Sequence, residues 1–148
     1  MANWARGQVK IAGLKTNLRD FLLSVVDEQE LNKAECSEDF LYLSMSPELY
    51  RGGFHLPGTR CYIDGTEIDV KFSKESLIDT ERHMICLPFS GANGIDVAGM
   101  LELAKYFNID FEMDVIDPWG GYQQKTVIIG NELVSNQFFE YNLYEDDE

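Results

Sequence analysis

A chain of 148 residues that is 45% hydrophobic, with nine Phe, seven Tyr and two Trp, is the size of one ordinary domain and can bury roughly two thirds of its unfolded surface; that composition excludes a disordered or low-complexity chain. Twenty-six acidic residues against twelve Lys and Arg leave a net charge of −14, which disfavours direct contact with nucleic-acid phosphates or anionic lipid and favours cationic partners. Cys36, Cys61 and Cys86 are odd in number and widely spaced, which argues against a disulfide framework, and no apolar run approaches the ~18 residues of a membrane span.

In chain order, residues 6–13 alternate Val9 and Ile11 with Gln8 and Lys10, the period of a first strand. Leu18, Phe21, Leu22, Val25 and Val26 then fall at the spacing of an amphipathic helix, with Thr16 or Asn17 as the expected N-cap. Residues 27–39 are a polar run, expected to be an exposed connection. Residues 40–45 are apolar enough for a short buried strand, and Ser46-Pro47 offers the N-cap and first position of a short helix. Asp64-Gly65, between residues 60–63 and 66–72, is the strongest hairpin signal in the chain.

Residues 82–89 read as a further strand, followed by the small-residue turn of residues 90–94. A second helix is expected over residues 95–107, burying Val97, Met100, Leu101, Ala104 and Phe107. Three strands close the chain, over residues 109–116, 125–129 and 137–144, joined by a Pro-Trp-Gly-Gly turn and by Gly130-Asn131. The expectation is a single α+β domain over residues 1–148 with an acidic tail at residues 145–148. Its architecture would be a ferredoxin-like antiparallel sheet with two main helices on one face and extra strands.

Met1, Asn3 and Trp4 ahead of the first strand and helix, together with the strand, turn, helix and strand of residues 84–117 and then Gly120 and Gly121, resemble the phage- and plasmid-borne YubB-type ferredoxin-like family. The resemblance covers about the first 25 residues and the last 65. It implies a ferredoxin-like fold and a mobile-element origin, and it brings no established activity. Ala5 stands where that family usually has Cys, and its Trp-rich central portion has no counterpart here.

Candidate chemistry is sparse. His83 and Cys86 sit three apart, so on a strand they point to opposite faces and cannot share a metal. His55 lies in a glycine-rich loop, and the motifs of nucleophilic or metal-assisted hydrolysis do not occur. The turn at residues 90–94 has the outline of an anion site at a helix N-terminus but lacks a basic partner. No enzyme activity, cofactor or metal is therefore expected.

Charge is what the sequence offers. Residues 1–74 carry 11 acids and 9 bases, whereas residues 75–148 carry 15 acids and 3 bases, with no base after Lys125. The alternation over residues 109–117 buries Ile109, Phe111, Met113 and Val115 and displays Asp110, Glu112 and Asp114. Same-face residues recur every ~6.7 Å on a strand, about half the linear charge density of a nucleic-acid strand. Glu140 and the terminal Glu145, Asp146, Asp147 and Glu148 are expected to add a second row if the last strand lies alongside. With Asp117, Trp119 and Tyr122, these residues form the candidate partner-binding set.

The expected function is a non-enzymatic acidic inhibitor in the cytoplasm of a bacterial host. It would occupy the basic groove of a nucleic-acid-binding defence nuclease, such as a CRISPR nuclease, in the anti-CRISPR or anti-restriction manner. One alternative is a small-molecule or nucleotide-signal binder or enzyme with a pocket on the sheet. A second is a phage structural or assembly factor whose acids serve solubility.

Overall fold

The computed structural model describes residues 3–25, 31–37, 40–45, 53–72 and 82–141. Its frame is set by β1 (Trp4–Leu14), whose alternation buries Ala5, Val9 and Ile11 on one face and leaves Trp4, Arg6 and Gln8 on the other. The chain passes from β1 straight into α1 (Lys15–Ser24). The capping position is therefore Leu14, with no side-chain cap, and the expected cap at Thr16 or Asn17 falls inside the helix. The amphipathic stripe places Leu18, Phe21, Leu22 and Val25 in the core, and Phe21 meets Phe107 and Phe111 edge-on at 5.5 Å.

β1 is paired on both sides. Along one edge it runs antiparallel to β7 (Arg82–Ala92), from Trp4↔Ala92 to Leu14↔Arg82; along the other it pairs with β8 (Asp110–Asp117), from Arg6↔Ile116 to Ala12↔Asp110. Both neighbours thus run in the same direction, and α2 (Val97–Phe107) joins them in a split β-α-β unit. The β1–β8 approach is close enough that a Cβ at Gly7 would sit 1.9 Å from the Asp114 carbonyl oxygen; only glycine fits there.

Outside β8 lie β9 (Tyr122–Ile129) and β10 (Glu132–Glu140); outside β7 lie β5 (Cys61–Ile63) and β4 (Phe54–His55). The sheet order is β10-β9-β8-β1-β7-β5-β4, antiparallel at every pairing. The helices pack on the face carrying Val9, Ile11, Phe111 and Met113, leaving the opposite face uncovered by them. α2 buries Leu103, which the expected stripe omitted, as well as Met100 and Ala104.

A second sheet, of order β2-β3-β6, is built from β2 (Leu31–Cys36), β3 (Phe40–Met45) and β6 (Glu67–Lys71). The opposed pairs Leu41↔Val70 and Leu43↔Ile68 are buried and join the same core. β2 lies inside what the sequence presents as an exposed connection. The expected short helix at Ser46-Pro47 falls outside the described residues.

Asp64-Gly65 does not close the hairpin expected of it, whereas Gly130-Asn131 joins two strands as expected. β5 pairs with β7 and β6 pairs with β3, so Asp64-Gly65 carries the chain from one sheet to the other and closes no hairpin. Asp64 donates its N–H to Pro88 O at 3.0 Å and accepts the Ser90 hydroxyl at 2.6 Å, which extends the β5–β7 ladder past the end of β5. Gly65 then turns the backbone at φ 104°. The two-residue hairpin lies instead at Gly130-Asn131, with φ 61° and 66°, closing Ile129↔Glu132 in the type I′ geometry that suits strand twist.

Candidate interaction surface

Asp110, Glu112 and Asp114 do project together from the uncovered face of the large sheet. Their neighbours decide what that means. Arg82 Nη2 bonds Asp110 Oδ2, and the other Asp110 oxygen accepts the Gly130 N–H at 3.1 Å. Lys125 Nζ stands 3.9 Å from Asp114 Oδ2, while Gln123 donates to Asp114 Oδ1 at 2.8 Å. Glu112 is exposed and sits directly opposite Lys10. Exposed ion pairs of this kind contribute about 0–1 kcal/mol each, so their importance is in the field. The row alternates in sign with its neighbours and is no bare negative strip.

The remaining expected residues divide. Asp117 is 1% exposed. Its Oδ1 accepts the Gly120 N–H at 2.7 Å and its carbonyl accepts the Gly121 N–H at 2.9 Å, so it builds the β8–β9 turn. That turn thrusts Trp119 into solvent at 89% exposure. Tyr122 packs edge-on against Phe138 at 5.7 Å; burial, then the charge and hydrogen bond of Asp117, hold its phenol above the ordinary range. Glu140 is opposite Tyr122, which is opposite Asp117, and this register puts it on the helix-bearing face. β9 also separates β10 from β8, so Glu140 adds no second row to Asp110, Glu112 and Asp114. Glu145, Asp146, Asp147 and Glu148 lie outside the described residues.

The strand the sequence undersold is β10. Expected to start at residue 137, it starts at Glu132, and it is the edge of the seven-stranded sheet. Leu133, Val134, Phe138 and Phe139 are 42%, 61%, 60% and 44% exposed. Phe138 leans on Tyr122 on the helix side, and Phe139 lies under Lys125 Nζ at 5.8 Å on the other. The pairing shifts register between Leu133 and Ser135, a bulge that accommodates Val134. The charged residues of β10 are Glu132 and Glu140, both acidic and exposed. The Gly130-Asn131 signal, read as a type I′ turn, would have located this strand.

Elsewhere the side chains settle into structural roles. His83 faces the core side beside Phe72, and the exposed Cys86 donates to Gln8 Oε1 at 3.3 Å from the other face. His55 Nε2 is 2.6 Å from Thr59 O. Cys61 is buried, its sulfur accepts the Asp96 N–H at 3.5 Å, and burial pushes its thiol up to about 11. No cluster of three His, Cys, Asp or Glu able to hold a metal occurs among the described residues. The N-terminus of α2 is capped by Asp96, whose carboxylate accepts the Gly99 N–H at 3.1 Å and the Arg60 N–H at 3.1 Å. A carboxylate already occupies that end, and Ser90 is committed to Asp64, so the anion-site outline is filled from within.

Among the described residues, no helix is long and apolar enough to cross a membrane. No family, curated protein or solved structure with detectable similarity to this chain was found.

Proposed function

We propose that this chain is a non-enzymatic acidic binding protein that engages a basic, nucleic-acid-binding partner through its C-terminal edge. The observation that carries the reading is β10: an edge strand with exposed large apolar side chains, whose charged residues are all acidic, in a stretch with no base after Lys125. The ion pairing of Asp110 and Asp114 moves the expected contact away from the middle of the sheet and towards β10 and the turn carrying Trp119. A host defence nuclease with a cationic groove, of the CRISPR or restriction kind, is the partner class that fits such a surface.

The order β8-β1-β7-β5 with its split β-α-β unit supports assigning the core to the ferredoxin-like class, extended by β9, β10 and β4 and by the second sheet. Kinship with the YubB-type mobile-element family, and with it a phage or plasmid setting, rests on Met1, Asn3 and Trp4 and on the sequence pattern of residues 84–117 with Gly120 and Gly121.

The test is capture of host proteins at low and high salt, followed by competition with nucleic acid for the captured partner. The expected result is a salt-sensitive complex that excludes nucleic acid and weakens about tenfold on Glu132→Lys with Glu140→Lys. A complex indifferent to salt, charge reversal and nucleic acid would overturn the reading. A second reading, a small-molecule binder, rests on the rings at the far end of the open face: Tyr62 lies 5.5 Å from Trp4 and 5.1 Å from His55, with the Arg6 guanidinium 5.7 Å over Trp4. A ligand retained in native mass spectrometry would favour it.

A further inference from the structure

β10 has a free side as well as exposed faces. Tyr141 N–H bonds the carbonyl of Gly121, the residue just before β9, at 2.8 Å. Backbone groups alternate in direction along a strand, so Ser135, Gln137 and Phe139 turn towards β9 and Asn136, Phe138 and Glu140 present N–H and C=O outward. Among the described residues, no strand lies beyond β10 in the sheet order. Edges of this kind are ordinarily blunted by short length, lysine, proline or a cover. β10 runs nine residues with no Lys, Arg or Pro, and its single irregularity is the bulge at Val134. From Ser135 to Glu140 the ladder is regular and open.

We propose that β10 pairs with an extended, lysine- or arginine-bearing segment of the partner protein, which adds to the sheet as a further strand along residues 135–140. This deepens the proposed function and rests on it. Outward amides supply register, Phe138 and Phe139 supply an apolar contact on each face of the added strand, and Glu132 and Glu140 supply the charge that selects a basic sequence. Charge also decides between a foreign strand and a second copy. Pairing β10 with itself joins two chains of −14 each along a strand that has no base to meet its own glutamates, a combination that like-charge repulsion opposes. A cationic segment meets the same edge with attraction.

The probe is a nine-residue peptide alternating lysine with valine and threonine. It is compared with its glutamate counterpart and with a version N-methylated on every second amide, which keeps charge and side chains but cannot complete the ladder. Hydrogen exchange at Asn136, Phe138 and Glu140 and peptide affinity are read on the full chain. The lysine peptide is expected to slow exchange at those three amides, and the glutamate peptide is not. N-methylation is expected to weaken binding about fivefold to tenfold. Phe138→Pro should weaken it by a similar factor beyond Phe138→Ala, because both lose the ring and only proline loses the outward donor; an outward edge position tolerates proline. Equal affinity for the N-methylated peptide overturns strand addition while leaving charge-driven binding in place. Slowed exchange that follows protein concentration without peptide makes the occupant a second copy and overturns the proposal. Lysine-peptide binding unaffected by Glu132→Lys with Glu140→Lys overturns the basic partner and the proposed function together.

Discussion

Cys61 shows how a residue with reactive potential is made structural. Fully buried on β5, with its sulfur accepting the Asp96 N–H, it keeps its proton to about pH 11 in the folded chain against 9.0 for an ordinary thiol. The folded state therefore holds that proton more tightly. The associated stability is complete below pH 9 and drains as pH rises towards about 11, by up to about 2 kcal/mol. Tyr122 acts in the same direction at higher pH, since its phenol is also held above the usual value. Cys61→Ala should lower stability at neutral pH yet flatten the alkaline fall. Urea midpoints from pH 7 to pH 11 check this, and an unchanged slope would place the loss on another group. At this scale the sequence was legible in one direction. Alternation over β8 told which side chains face inward, because a period of two needs no knowledge of the rest of the chain. It could not tell that Arg82 and Lys125 neutralise Asp110 and Asp114, because those contacts depend on strand register.

The two glycine turns make the same point for elements. Asp64-Gly65 and Gly130-Asn131 are similar local signals, and each lies between strands. What separates them is where the flanking strands find partners: Ile63 opposite Phe89, and Leu43 opposite Ile68. Glutamine, lysine and glutamate in the flanks offered no hint of that. Helices were more legible, since the stripes of α1 and α2 are local, although α1 begins at the end of β1 without the polar cap its first turn suggested. The Gly130-Asn131 turn carries a test. Asn131 has φ 66°, so Asn131→Ala should cost about 1 kcal/mol and Asn131→Gly should be neutral or slightly stabilising. Thermal denaturation of the two variants checks the contrast; equal effects would mean the turn does not hold the hairpin.

For the whole molecule, the net charge of −14 is a standing repulsion that the compact state has to contain. Screening relieves it: the Debye length falls from about 30 Å at 0.01 M salt to about 3 Å at 1 M. The melting temperature should therefore rise by several degrees over that range, as scanning calorimetry would record. A fall instead would mean that ion pairs such as Arg82–Asp110 and Lys125–Asp114 outweigh the general repulsion. The division into two sheets was hidden from the sequence because β2 lies in a polar run and strand order is a property of distant pairings. The position of β1 has a consequence for how the protein comes into being. β1 leaves the ribosome long before its two neighbours, which span residues 82–92 and 110–117. It must therefore wait, unpaired on both flanks, until residues 82–92 and then 110–117 have been made. Closure of the sheet around its central strand is thereby deferred until residue 117 has emerged, and a chain truncated between residues 93 and 109 yields a product whose centrepiece has lost one of its two neighbours.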